Sequence, residues 1–375
     1  MVALKIVFWA SLVLLVWTHV GYPLAAGLVA RVRRRRVASS AIEPAVSVVV
    51  AAHNEEDVIE QRVRNLLELD YPAERLEILV ASDASIDRTD EIVERLAGDD
   101  ERVKLVPCAR AGKVSAQNRG VAASTGEIVA FSDANAVWQR DALRKLVRSF
   151  ADPDVGYVTG RASYEAADGT NREGAYWRFE LWVRAQESRL GSVTAGNGPI
   201  YAVRRADWVD LEPWCGHDLG LPYLMVQRGR RAVYDPEAVS VEKPSRDIED
   251  EYQRKVRMLR GAWVHVFRGM LRRVGPVYFT ELVSHRLLRY ASGILHVLLL
   301  LSSAALVGEG WVYQAALALQ LLWLLLAGTG RLRLPIPGAG LAYYYLVVTW
   351  ATLAGLARYV RFGPPLLWER IEGTR

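Results

Sequence analysis

Residues 46–56 read Val-Ser-Val-Val-Val-Ala-Ala-His-Asn-Glu-Glu, and the first seven of them decide the fold. Val46–Ala52 is a β-branched run with almost no polar residue, the pattern of a strand buried on both faces. Glu55–Leu69 follows with Ile59, Val63, Leu66 and Leu67 on one stripe, which is a helical period. Further along, Leu76–Ala81 predicts a second strand and Asp87–Leu96 a second helix. Val103–Val106 and Ile128–Phe131 predict two more strands, with a helix across Val114–Ala123 between them. Strand–helix alternation at this spacing predicts an α/β fold with a mainly parallel sheet covered by helices.

Ligands of such sheets bind beyond the carboxyl ends of the strands, in the loops that enter helices. The polar clusters fall at those places: His53-Asn54-Glu55-Glu56, Ser82-Asp83-Ala84-Ser85 and Ser132-Asp133-Ala134-Asn135. Helix capping accounts for Ser85 or Asp87, but not for acids at all three strand ends. No GxGxxG follows the first strand, which argues against a dinucleotide site, and Pro107 stands where a Walker motif needs glycine before Gly112-Lys113. Some other device must hold any phosphate, and a metal held by the Asp133 loop is the obvious candidate.

Outside this region the composition changes. Ile6–Ala30 carries no charge over a length that crosses a hydrocarbon core, and Arg31 and Arg33–Arg36 follow it at once. Basic residues after the apolar run, rather than before it, favour an anchor over a cleaved leader and place the following domain in the cytosol. Beside a span such a run reads as topology signal and lipid contact, so no nucleic-acid partner is expected. Tyr290–Val307, Trp311–Gly328 and Leu341–Ala357 are three further candidate spans, with Arg331 and Arg333 marking a cytosolic loop. Four spans would leave Arg358 and Arg361 outside, against the charge rule, unless one C-terminal segment is re-entrant. Trp263–Arg289 mixes Arg with Trp, Phe and Leu, which suits either an interfacial helix or an amphipathic cap on the soluble domain. His19 and His296 are the ionisable residues central to apolar segments, and they read as polar contacts between helices rather than a transport path. The chain has two cysteines, Cys108 and Cys215, in no paired spacing, and Cys215-Gly-His217 lacks the second half of a metal site.

Six segments in order carry a resemblance. They are SVVVAAHNEEDVI (47–59), ILVASDASIDRTDEI (78–92), AGKVSAQNRG (111–120), IVAFSDANAVW (128–138), GNGPIYAVRR (196–205) and GHDLGLPYLMVQRGRRAVYDPEA (216–238). Together with SHRLLRY (284–290) and spans at both ends, the chain resembles membrane-bound family 2 glycosyltransferases. The resemblance implies a type A glycosyltransferase domain flanked by transmembrane helices, and an enzyme that transfers a sugar from a nucleotide-sugar donor with inversion. The implied donor is a UDP-sugar and the implied acceptor a membrane-associated lipid or glycan, in a multi-pass protein of the cell membrane. The domain organisation expected is an N-terminal anchor (1–30), a basic linker (31–44), a catalytic domain (45–261), interfacial helices (262–289), C-terminal spans (290–357) and a tail (358–375).

Position by position, the resemblance implies that Asn54 and Glu55 lie beside ribose and base, and that Asp83 accepts a hydrogen bond from the base. It gives Lys113 to the base or diphosphate, and Asp133 with Asn135 to the metal motif, with Mg²⁺ or Mn²⁺ as cofactor. Gly196, Asn197 and Gly198 form the loop beneath sugar and acceptor, and Asp218 is the catalytic base. Hard divalent cations need only one or two protein oxygens besides phosphate, and a carboxylate can take the acceptor's proton, so these residue types suit the chemistry. Two positions depart from the family. The metal motif is Asp-Ala-Asn, with an amide in place of the second carboxylate. At the acceptor end Arg254-x-x-Arg257-Met258 stands in place of QxxRW, which points to short products rather than a processive polysaccharide synthase. A non-catalytic nucleotide-sugar-binding scaffold is the alternative from another class.

Overall fold

The computed structural model of the chain describes residues 1–164, 174–243 and 247–365, so residues 366–375 of the expected tail lie outside the described residues. Helix α1 (Val2–Val16) passes through a π-helical turn, Trp17–Gly21, into α2 (Tyr22–Val32). Three strand–helix pairs follow: β1 (Val46–Ala52) and α3 (Ile59–Leu67), β2 (Leu76–Asp83) and α4 (Thr89–Asp99), β3 (Val103–Cys108) and α5 (Lys113–Ala123). Next come β4 (Ile128–Asp133), the short β5 (Val137–Trp138), α6 (Ala142–Val147) and β6 (Val155–Tyr164). Helix α7 (Ala175–Leu190), β7 (Tyr201–Arg204), α8 (His217–Gln227) and β8 (Arg231–Glu242) complete the mixed region. The remainder is helical: α9 (Ile248–Phe267), α10 (Pro276–Glu281), α11 (Leu288–Tyr290), α12 (Ser292–Ala305), α13 (Trp311–Arg331) and α14 (Ala339–Phe362).

The chain divides into two compact units. One holds Ala26–Pro244 and Arg268–Phe279, and the other holds Met1–Ala25, Ser245–Phe267 and Thr280–Pro364. In the first unit a single eight-stranded sheet runs in the order β3-β2-β1-β4-β7-β6-β8-β5. Four of its pairings are parallel, β1/β2, β1/β4, β2/β3 and β6/β8. The others, β4/β7, β6/β7 and β5/β8, are antiparallel. The sheet is therefore mixed and mainly parallel, as the uninterrupted apolar reading of 46–52 requires. All seven residues of β1 are buried, with one core beneath Val48 and Val50 and another above Val49 and Ala51.

The helix expected over Glu55–Leu69 begins later than its periodicity predicts, at Ile59. Residues 53–58 are held in a turn before α3, because their backbone is committed to the neighbouring loop. The Glu55 amide donates to Thr89 Oγ1 (2.7 Å) and the Glu56 amide to Asp87 Oδ2 (3.1 Å). Asp87 also accepts from the Thr89 amide (3.0 Å) and so opens α4 in the manner of a cap.

By length and composition, α1–α2, α13 and α14 are each long and apolar enough to cross a membrane. The expected span Tyr290–Val307 falls in a bent pair, Pro276–Tyr290 and Ser292–Ala305, which meet at 64° and give up to four spans if counted as one. Along α13, Leu319, Leu322 and Leu325 are 67%, 61% and 67% exposed, a surface that needs an apolar surrounding. Helices α12 and α14 approach closely where the Gly293 amide donates to Thr352 Oγ1 (3.1 Å), a small-residue contact of the kind that packs spans. His19 and His296 do make a polar contact between helices, through a residue the sequence left unmarked. The Tyr345 hydroxyl lies 3.4 Å from His19 Nε2 and 3.2 Å from His296 Nε2.

Candidate active site

The ends of β1 and β2 carry two residues in the left-handed backbone region, Asn54 (φ 56°) and Ala84 (φ 53°). Asparagine tolerates this conformation better than alanine does, and both turns are held by bonds that run between them. The Asn54 amide donates to Ser85 Oγ (3.1 Å) and the Ile86 amide donates to Asn54 Oδ1 (2.9 Å). His53 Nδ1 lies 2.9 Å from the Asp83 carbonyl, and Glu55 is buried beside them. Asn54 therefore fixes the shape of this strand end.

Asp83 is fully buried and turned towards the loop that enters α5. Its Oδ1 accepts from the amides of Ala111 (2.7 Å) and Gly112 (3.1 Å), and its Oδ2 accepts from Gly112 (3.0 Å) and Arg110 Nη1 (2.6 Å). Both oxygens are thus committed within the protein, whereas the resemblance gives this carboxylate to the base. Gly112 takes φ 91°, open to glycine at little cost, and this turn starts α5 at Lys113. The Lys113 ammonium pairs with Asp133 Oδ1 at the end of β4.

Asp133 Oδ2 points the other way, towards the loop 196–198, and lies 3.7 Å from the position a Cβ on Gly198 would take. Asn135 stands two residues beyond Asp133 in the same loop. Among the described residues no group of three or more His, Cys, Asp or Glu is placed to hold a metal ion. One carboxylate and one amide oxygen fit a hard divalent cation whose remaining ligands are phosphate and water. Such an ion would take Asp133 over from the Lys113 ammonium.

The loop 196–198 rests on buried aromatic rings. A Cβ at Gly196 would lie 1.8 Å from the Tyr157 hydroxyl, so no other residue fits. Asn197 is pinned on every side: its amide donates to Thr159 Oγ1 (2.8 Å), its Nδ2 to the Gly160 carbonyl (2.5 Å), and its Oδ1 accepts from Arg184 Nη1 (2.5 Å). Its side chain is spent on tying the loop to β6 and α7. The Gly196 amide donates to the Asp218 carbonyl (2.6 Å), which joins this loop to the first turn of α8.

Asp218 is the second residue of α8 rather than its cap, since the helix begins at His217 after Gly216. A Cβ on Gly216 would press on Asp218 Oδ1 at 3.1 Å, so glycine leaves the carboxylate its room. Burial raises the Asp218 pKa, the nearby Lys113 ammonium lowers it, and the Asp133 charge raises it again. The net direction is upward, which makes it a stronger base than an ordinary aspartate.

Lys113, Asp133, Gly198, Gly196 and Asp218 are thus brought together at one end of the sheet. Asn54, Glu55 and Asp83 build the adjoining strand ends. Arg254 and Arg257 belong to α9 in the helical unit, where Arg254 Nε and Nη2 donate to Glu251 at 2.9 Å. The sequence did not single out Arg110, Tyr157, Thr159 or Arg184. Arg110 had a detectable signal, being a basic residue two places before a glycine that opens a helix. Tyr157 and Thr159 sit in an apolar strand and carried none.

Three comparisons bear on this arrangement. The model of the family described as glycosyl transferase family 2 matches residues 47–210. A probable glycosyltransferase, YdaM, of Bacillus subtilis is 40% identical over 233 residues, 58% of this chain and 55% of its own. Beta-monoglucosyldiacylglycerol synthase of Trichormus variabilis is 34% identical over 211 residues, 54% of this chain and 45% of its own. Poly-beta-1,6-N-acetyl-D-glucosamine synthase of Staphylococcus aureus is 24% identical over 224 residues, 58% of this chain and 54% of its own. The chain spans about half the length of the curated relatives it matches. Among solved structures, a mannosyltransferase from Pyrobaculum calidifontis in complex with GDP-Man and Mn²⁺ superposes with a TM-score of 0.73 at 24% identity. The match covers 94% of this chain and 99% of that one, and establishes the shared fold.

Proposed function

We propose that this chain, which carries a family 2 glycosyltransferase domain of type A fold, moves a sugar from a nucleotide-sugar donor to a lipid or glycan acceptor at a membrane, with inversion. The observation that carries this reading is the convergence of the Lys113–Asp133 pair with Asp218 at one end of the sheet. Asn54, Glu55 and Asp83 shape the site of base and ribose, Asp83 by holding Arg110, Ala111 and Gly112 in place. Lys113 faces the diphosphate. Asp133 and Asn135 hold the divalent cation, which when bound supplies Lewis-acid stabilisation of the leaving diphosphate.

On the opposite side, the Asp218 carboxylate accepts the proton of an acceptor hydroxyl as that oxygen bonds to the anomeric carbon. The bond from this carbon to the phosphate oxygen breaks, and its electron pair leaves with the nucleoside diphosphate. The upward-shifted pKa of Asp218 favours this role at neutral pH. Gly196, Asn197 and Gly198 floor the sugar site, and Arg254 and Arg257 serve the acceptor. UDP-sugars are the donors, and the protein is multi-pass with its catalytic domain in the cytosol. A lipid acceptor is supported by the name of the diacylglycerol-glucosylating relative.

Short products follow from Met258, which is flexible and lacks the flat aromatic face that would keep a growing glycan bound. The test is donor turnover by the purified protein over a panel of UDP- and GDP-sugars with Mg²⁺ or Mn²⁺, with diacylglycerol in micelles as acceptor and the products sized. Addition of one or two sugars supports the reading. Long chains beside untouched acceptor overturn the short-product part, and no turnover of any donor overturns the whole.

A further inference from the structure

Directly before Asp218 stands a histidine that the mechanism above does not use. His217 is 4% exposed and its ring is enclosed by aromatic neighbours, Phe131 at 5.6 Å and Trp208 at 5.3 Å between centroids. Its Nδ1 lies 2.8 Å from the Tyr201 hydroxyl, and Gln117 Nε2 donates to the same hydroxyl at 3.1 Å. Tyr201 is fully buried, stacked between Phe131 (4.7 Å) and Tyr157 (5.6 Å), and Gln117 is 2% exposed.

The donors and acceptors of this chain favour one arrangement. The Gln117 amide nitrogen can only donate, so the Tyr201 oxygen accepts from it. The arrangement that leaves fewest buried groups unpaired has the Tyr201 O–H donate to Nδ1 of His217, which is then the acceptor nitrogen of a neutral ring. Burial, followed by the nearby Lys113 charge, pulls the His217 pKa down to about 3, so the ring stays neutral at any working pH. The hydrogen of that ring is on Nε2, which is buried and without a partner among the described residues.

A buried donor left unpaired is a cost, so this histidine is not held by its own satisfaction. What its position does secure is a connection between two helices. Gln117 lies one turn after Lys113 on α5, and His217 is the first residue of α8, immediately before Asp218. Lys113 in turn pairs with Asp133. A hydrogen-bonded line of side chains thus runs from Gln117, one helical turn from Lys113, through Tyr201 to the residue beside Asp218.

We propose that Gln117, Tyr201 and His217 are positioning residues that set the first turn of α8, and hence the Asp218 carboxylate, relative to the Lys113 end of α5. This rests on the reading of Asp218 as base. The linkage differs from plain core packing in one respect: it needs a single hydroxyl hydrogen between Tyr201 and an acceptor at the Nδ1 position.

Four variants of the full chain test it, with turnover of the accepted donor, affinity for UDP and GDP with Mn²⁺ by calorimetry, and Tm as readouts. Tyr201→Phe removes the hydroxyl and keeps the ring stack. It should lower kcat by about tenfold, on the scale of one well-made hydrogen bond, with nucleotide affinity unchanged. His217→Asn places an oxygen near Nδ1 and should turn over faster than His217→Gln, whose oxygen falls near Nε2. The double variant Tyr201→Phe/His217→Gln should be no slower than His217→Gln alone, because the two act through one bond. An unchanged kcat in Tyr201→Phe overturns the proposal. So does a kcat loss that tracks Tm or nucleotide affinity, and so does equal loss in both histidine variants. Failure of the base reading shows elsewhere, as retained turnover in Asp218→Asn.

Discussion

The two halves of the sheet are held together by different physics. In the half formed by β1 to β4, the turns that build the site are tied by polar bonds from one loop to the next: Asn54 to Ser85 and Ile86, Glu55 to Thr89, Asp83 to Ala111 and Gly112. In the half formed by β6, β7 and α8, the site rests on packed rings and on glycines that admit close approach, Gly196 over Tyr157 and Gly216 beside Asp218, with its hydrogen bonds, such as those of Asn197 and His217, buried inside that packing. Polar bonds between loops fix backbone shape at the strand ends to which the proposal gives the nucleotide. Packing, with the hydrogen bonds buried in it, fixes the Asp218 carboxylate to which the proposal gives the chemistry. If that division is right, damage to the first half should appear as lost binding or stability, and damage to the second as lost turnover.

The largest effect tests the second half. Asp218→Asn keeps shape but cannot accept a proton, so kcat should fall by about 10² or more while nucleotide affinity stays as it was. A fall in affinity instead would erase the distinction between the halves. Next comes the first half: Asp133→Ala should abolish metal-dependent donor binding in calorimetry, leaving the neutral Asn135 in the loop. Conversely, Asn135→Asp should lower the metal concentration that gives half activity.

A third measurement sharpens the role of burial. A base works only when deprotonated, and the folded-state pKa of Asp218 is raised. Activity should therefore be lost, as pH falls, at a higher pH than the ordinary aspartate value of about 3.9 would give. The pH profile of kcat should carry this limb in the wild type, and Asp218→Asn should lack it. The smallest effect lies in the first half again. Asp83→Asn sets an amide against buried N–H donors and should cost about 1–3 kcal/mol of stability, read as a lower denaturant midpoint with an unchanged slope.

How much of this could be read beforehand follows from the same division. The polar half was legible because its residues contrast with their surroundings: Asp83 and Asp133 interrupt apolar strands, and Gly112-Lys113 interrupts a loop. Periodicity along 55–69 sets the start of α3 too early, because it cannot show that residues 55 and 56 give their amides to Thr89 and Asp87. The packed half was legible only at Asp218 and the glycines. Tyr157, Tyr201 and His217 look like ordinary core residues, and their meaning comes from register between β6, β7 and α8, which no linear pattern carries. Asp83 stands out in the sequence as an acid at a strand end, while its partners lie in a loop nearly thirty residues away, which no local pattern shows.

The contact around Tyr345 has a consequence that appears when hydrogens are counted. His19 Nδ1 and His296 Nδ1 each face a carbonyl, of Leu15 at 3.0 Å and Ser292 at 2.8 Å, so both ring nitrogens must donate. In neutral rings that leaves two Nε2 acceptors and one hydroxyl hydrogen on Tyr345 to serve them. Only one of the two bonds can exist at a time, and the hydrogen divides its time between helices. The arrangement is a redundant fastener. Loss of either histidine alone leaves a complete bond in place, so neither should matter much singly, while Tyr345→Phe removes both attachments at once.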